Sequence, residues 1–179
     1  SGGDNQSTLR CMEALGIQVD RSTEGEIVIH GKGLDGLREA SGELDAGNSG
    51  STMRMLSGIL AAQPFTTRMG GDESLSKRPM DRIMQPLAQM GASIQARDGR
   101  FPPLTIEGRK LNAIRYATPM ASAQVKSCVL LAGLYAEGET VVEEPLRTRD
   151  HTEIALREFG ADVTVNKTTI TLQGRPTLT

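Results

Sequence analysis

A threefold internal echo constrains this chain more than any other feature of its sequence. Three segments read as the same helix-then-strand pattern: TLRCMEALGIQV from Thr8, MDRIMQPLAQMGASI from Met80 and HTEIALREFGADVTV from His151. Each ends its helical stretch on an apolar residue followed by Gly, at Gly16, Gly91 and Gly160. Glycine there suits a left-handed helix cap. The spacing of roughly 70 residues marks stacked structural repeats rather than chance similarity. After each comes a second strand ending in Gly: IVIHGKG from Ile27, LTIEGRK from Leu104 and ITLQGRP from Ile170. Their alternation of apolar and polar residues predicts one buried face on each.

A second helix type occurs twice, as GSTMRMLSGILAA from Gly50 and SAQVKSCVLLAGLYA from Ser122. Each leads into a strand, FTTRMGG from Phe65 or ETVVEEP from Glu139, and then through a polar loop into the next helix of the first type. A further strand fits near Asn112 to Tyr116. The unit that results is α/β, with two whole copies. The first copy is expected to lack its opening helix and strand, so that Ser1 falls in mid-unit. We expect one domain over 1–179, with repeats at roughly 1–49, 50–120 and 121–179. Cys128, Val129, Leu130, Leu131 and Leu134 cover most of a helix circumference, which predicts a buried helix. Helices inside and small sheets outside follow from that pattern.

Composition narrows the setting. Aromatic residues are only 3% of the chain, with no Trp, so the core must be aliphatic. The net charge of −2 gives no general surface for nucleic acid. No stretch nears the roughly 20 apolar residues of a membrane helix. Cys11 and Cys128 have no metal-ligand spacing and sit in apolar patterns, where they read as small buried hydrophobes of a reducing, cytoplasmic compartment.

The informative chemistry lies at the helix starts. A helix N-terminus carries partial positive charge and unpaired N–H groups, so acidic residues are the usual occupants. Here cations stand there instead. Arg54 lies four residues after Gly50, and Lys126 lies four after Ser122, the equivalent place in the repeat. Arg78 directly precedes Pro79, read as the first residue of a helix. Arg149 precedes Asp150, which with Glu153 has capping-box spacing. Each such cation costs a few tenths of a kcal/mol up to about 1 unless an external anion compensates it. Phosphate or carboxylate is the fitting ligand. In LDAGNSGSTMR, Asn48 is a good N-cap and Gly50 lets a ligand approach backbone closely. GGDESLSKRPM, from Gly70, is a polar loop carrying Lys77 and Arg78. In PMASAQVKS, Ser122 and Gln124 are polar residues able to hydrogen-bond a polyhydroxy ring. His151, in TRDHTE, is a candidate base or a structural group. No Ser-His-Asp order, zinc motif, Walker loop or dinucleotide fingerprint is present.

With those strings in place, the chain resembles the 5-enolpyruvylshikimate-3-phosphate synthase family, and within it the bacterial subgroup called class II. LDAGNSGSTMR, GDESLSKRPM, SAQVKSCVLLAGL and TRDHTE carry the resemblance, which runs from about Asp4 to Gln173. It implies a two-domain enzyme, each domain made of three βαβαββ units in an inside-out, barrel-like arrangement with helices inside. It implies transfer of the enolpyruvyl group of phosphoenolpyruvate to the 5-hydroxyl of shikimate 3-phosphate, with release of phosphate, through a tetrahedral ketal. No metal or organic cofactor is implied. Asn48, Gly50, Arg78 and Gln124 would bind phosphoenolpyruvate. Ser122, Ala123, Gln124 and Arg149 would bind shikimate 3-phosphate. Arg54, Lys126 and His151 would support the site. The family's PGDKSxSxR motif and the acid–base groups are absent, so a missing second domain is the expected partner and the fragment alone is expected to be inactive. The intact enzyme would be a cytoplasmic monomer that binds neither nucleic acid nor membrane. Some class II members have Ala where Gly50 stands, and that bears on glyphosate without deciding it. A sister family, which transfers enolpyruvyl to UDP-N-acetylglucosamine, usually carries a reactive Cys in the loop matching Gly70 to Met80; here only Ser74 and Ser76 are present. A non-enzymatic anion-binding scaffold is the other alternative.

Overall fold

A computed structural model describes residues 2–22 and 24–179; the expectation for Ser1 lies outside them. The three junction glycines do what the pattern asks of them. Gly16, Gly91 and Gly160 have φ of +88°, +100° and +88°, which side chains rarely adopt. Each stops a helix in the same way. The residue after the glycine donates to a carbonyl five residues back: Ile17 to Met12 at 3.0 Å, Ala92 to Leu87 at 2.9 Å and Ala161 to Leu156 at 2.9 Å. The helices so ended are α1 (Gly3–Ala14), α3 (Asp81–Gln89) and α5 (His151–Glu158). The other helices are α2 (Gly50–Leu60) and α4 (Ala123–Gly133).

Strands β1 (Gln18–Arg21) and β2 (Ile27–His30) form an antiparallel pair after α1. Two four-stranded sheets follow. The first takes β3 (Leu44–Asp45), β4 (Thr66–Gly70), β5 (Ser93–Arg97) and β6 (Phe101–Glu107) in the order β3-β4-β6-β5. The second takes β7 (Arg115–Ala117), β8 (Glu139–Glu143), β9 (Val163–Asn166) and β10 (Thr169–Gln173) in the order β7-β8-β10-β9. In both, the first pair is parallel and the others antiparallel. The same connectivity thus occurs twice, and β7 is the further strand expected near Asn112.

Helices α2 and α4 lie inside, while α1, α3 and α5 each keep an exposed face. Val125, Cys128, Val129, Leu130 and Ala132 of α4 are buried, as are Met53, Leu56 and Leu60 of α2. The inner faces of β6 and β10 supply Leu104, Ile106, Ile170 and Leu172 to the same core. Each such aliphatic side chain contributes about 1.5–3 kcal/mol relative to exposure. Helices α2 and α4 cross in backbone contact: a Cβ on Gly58 would stand 2.3 Å from the Cys128 carbonyl oxygen. Among the described residues, no helix is long and apolar enough to cross a membrane.

One strand departs from expectation. Ile27, Val28 and Ile29 of β2 are 39%, 44% and 54% exposed, so neither face is buried. In the other two units the matching strand lies between two neighbours and over the helices, whereas among the described residues β2 has only β1 beside it.

Both cysteines are buried and free. Burial, with the nearby Asp45 carboxylate adding to it, pushes the Cys11 thiol up to about 11. Burial pushes Cys128 up to about 12. Thiolate is the reactive form, so neither should react with a chromogenic disulfide reagent at pH 8 while the chain is folded. Both should react in denaturant. Rapid reaction of either thiol without denaturant would contradict this burial.

Candidate anion-binding site

Helix α2 starts where a tight turn after β3 ends. Ser49 is its N-cap and accepts a hydrogen bond from the Thr52 amide at 3.1 Å. The expected cap, Asn48, serves otherwise: its amide nitrogen donates to Asp72 at 2.8 Å, and its side-chain oxygen accepts from Arg78 Nη2 at 2.6 Å. Arg78 Nη1 also donates to the Asn48 carbonyl at 3.3 Å. The Leu75 amide, then Asn48, hold the Asp72 carboxyl below its usual range. Asn48 and Asp72 therefore brace the loop that carries Arg78.

Arg78 is not at its own helix start, as the sequence suggested. It closes a short 3-10 turn (Leu75–Lys77), and α3 begins only at Asp81. Its guanidinium crosses to the start of α2 instead. Arg54 reaches the same point from within α2, donating to Gln124 Oε1 at 2.8 Å and to the Pro79 carbonyl at 3.2 Å. A Cβ on Gly50 would lie 2.8 Å from Arg54 Nη1 and 3.5 Å from Arg78 Nη1. Two guanidinium groups thus converge on the first residue of a helix with no acidic residue in its first turn. Burial first, then the like charges of Arg78 and Arg82, lower the Arg54 pKa from its ordinary value. An anion docked here would relieve that repulsion and take up the free N–H groups of α2.

Gln124 joins this point to a second one. Ser122 caps α4, accepting from the Val125 amide at 3.3 Å, and Ala123 and Gln124 open the helix. Ala123, Gln124, Arg149 and His151 line a cleft of about 620 Å³, with Asp4 and Ser51 across from them. Ser122 is not among the lining residues; it acts as the cap. Arg149 and His151 are exposed at the start of α5.

Two expectations are corrected. Lys126 is not an uncompensated cation facing a ligand: it is 1% exposed and paired with Glu144 and Glu153. Asp150 and Glu153 form no capping box. The Asp150 side chain caps nothing on α5 and takes Arg147 at 2.9 Å, while Glu153 is drawn inward to Lys126. The sequence reading also missed Arg82, Asp4 and Ser51. Arg82 lies four residues after Arg78, just inside α3, and its charge is felt at Arg54; Asp4 and Ser51 meet only through the tertiary fold, with Ser51 Oγ donating to Asp4 at 3.3 Å.

Substituting Ala for Gly50 tests the approach to this point. The nearest obstruction is the mobile end of Arg54, so stability should change by less than about 1 kcal/mol. Inorganic phosphate affinity, read by NMR titration, should fall roughly tenfold because the methyl fills the docking space. Unchanged affinity would mean that the anion does not approach Gly50.

The chain is thus an α/β domain of repeated units, with arginine, glutamine and glycine gathered at the starts of its two inner helices. The model of EPSP synthase (3-phosphoshikimate 1-carboxyvinyltransferase) matches residues 1–179, and the chain belongs to that family. It is 70% identical to the 3-phosphoshikimate 1-carboxyvinyltransferase of Solibacter usitatus, over all of this chain and 42% of that protein. It is 48% identical to the Bacillus subtilis enzyme of the same name, over 99% of this chain and 42% of the other. A solved EPSP synthase structure from Acinetobacter baumannii superimposes with a TM-score of 0.97 at 50% identity, covering 99% of this chain and 40% of that one. The chain therefore spans about two-fifths of the length of these relatives.

Proposed function

We propose that this chain is the part of a 3-phosphoshikimate 1-carboxyvinyltransferase that holds the anionic groups of its two substrates. The observation that carries this reading is the meeting of Arg54, Arg78 and Gln124 at Gly50, where α2 begins. Arg78, braced by Asn48, takes the phosphate of phosphoenolpyruvate at the α2 N-terminus. Gln124 lies between the two substrates. Ser122, Ala123 and Arg149 hold shikimate 3-phosphate, whose phosphate needs a cation and whose ring needs hydrogen-bond donors and acceptors. Arg54 orients Gln124, and His151 supports the cleft rim. Lys126 acts from beneath, not as a ligand.

The chemistry is addition of the 5-hydroxyl to the enolpyruvyl carbon followed by elimination of phosphate. It needs an acid and a base within hydrogen-bond reach of the reacting atoms. We assign those groups to a second domain outside this chain, with which it forms a monomeric cytoplasmic enzyme. The isolated chain should bind without turning over.

Parallel NMR titrations with shikimate 3-phosphate and inorganic phosphate test the assignment. Shifts at Ser122–Gln124 and Arg149 that saturate at lower concentration for the ester are expected. Equal responses to both would favour a plain anion-binding scaffold. Phosphate release by the purified chain, supplied with both substrates, would refute the claim that the acid–base groups lie elsewhere.

A further inference from the structure

Beneath the cleft lies a buried charge cluster that touches no proposed ligand. Lys126, Glu144 and Glu153 are 1%, 5% and 2% exposed. Lys126 Nζ lies 2.7 Å from Glu153 Oε1 and 3.2 Å from Glu144 Oε2, and it donates to the Arg149 carbonyl at 2.9 Å. Those three contacts match the three donors of an ammonium group. Glu144 turns back on the same loop, accepting from the Thr148 amide at 3.4 Å and from the Thr148 hydroxyl. Glu153 Oε2 is buried with no hydrogen-bond partner among the described residues. Beside the cluster, the Ser127 and Thr152 hydroxyls meet at 2.6 Å.

Two carboxylates around one interior ammonium are a poor way to gain stability, because an apolar trio of similar volume avoids the desolvation cost. Such a cluster does fix geometry. Here it ties α4, the loop after β8 and the first turn of α5 to one atom. The loop bears Arg149, and α4 bears Gln124 two residues before Lys126, so both walls of the cleft are referred to the same nitrogen. The geometry points to Lys126, Glu144 and Glu153 as positioning residues that hold the Thr148–Arg149 backbone so that the Arg149 guanidinium stands in the cleft with Gln124. This rests on the reading of Arg149 as a phosphate-ester ligand.

The test uses a charge-neutral trio, Lys126→Met with Glu144→Gln and Glu153→Gln, because Lys126→Met alone strands two carboxylates. Shikimate 3-phosphate affinity is measured by NMR titration for the trio, for Arg149→Ala and for their combination. Thermal midpoints confirm folding, and Glu144→Gln alone replaces the trio if the trio does not fold. The trio and Arg149→Ala should each weaken binding about tenfold, and the combination should be no weaker than either, since one loss contains the other. Additive losses, or a folded trio that binds like the parent, overturn the proposal. If Arg149→Ala itself changes nothing, the ligand reading fails, and amide exchange then decides the positioning claim: faster exchange confined to Thr148–Thr152 in the trio upholds it, and unchanged exchange there overturns it.

Discussion

Replacing Lys126 by Met should lower the unfolding free energy by about 3–5 kcal/mol, a large part of what a domain of this size has to lose. The cause is not the lost contact but what stays behind. Glu144 and Glu153, at 5% and 2% exposure, would stay buried together with no cation between them. The Arg149 carbonyl would also lose its donor. Urea unfolding of the 179-residue chain checks this, read as a drop in midpoint at constant slope. Restoring neutrality by adding Glu144→Gln and Glu153→Gln should recover most of the loss. A single variant within about 1 kcal/mol of the parent would show that water or relaxation already screens the cluster.

In the longer transferase to which we assign this segment, Arg78→Ala should reduce kcat/KM by roughly 10- to 100-fold while the melting temperature barely moves. Arg78 is partly exposed and donates to Asn48 and Ser74, contacts that add little to the fold. Toward a bound phosphate the same group offers a charge-assisted fork worth about 1.5–3 kcal/mol. Arg78→Lys keeps the charge but loses the planar pair of donors, so it should recover only part of the rate. Equal rates for parent and Arg78→Ala would remove Arg78 from the substrate site.

The fold was largely legible because its signals are local and repeated. Helix stops at Gly16, Gly91 and Gly160, the burial of most of α4 and the alternating faces of β6 and β10 are written in the spacing of residues; Leu131 alone of the apolar residues named for α4 is partly exposed, at the cleft. The exposure of β2 was not legible: Ile27-Val28-Ile29 reads like its counterparts, and only the lack of a second neighbouring strand distinguishes it. The site was half legible. Clustered cations at helix starts pointed to Arg54, Arg78 and Arg149, but charge pattern alone cannot tell a cation aimed at solvent from one neutralised inside. That distinction separates Arg54 from Lys126, which lie four and three residues past Gly50 and Ala123, the first residues of their helices. The partners of Lys126 come from 18 and 27 residues further along, across a strand and a loop. Asn48 and Ser49 are both good caps, and the tie was broken only by Asp72 and Arg78, which draw Asn48 away.

The contact at Gly58 has a consequence for selectivity. On the function proposed above, the two anionic groups would be gripped beside helices α2 and α4, whose backbones touch and which Arg54 bonds across to Gln124. The gap between the two helix starts is set by main chain, which yields far less than a side chain does. An adduct carrying both acidic groups would then have to match that span, and molecules presenting them closer together or further apart should bind more weakly, by length, before any individual hydrogen bond is compared.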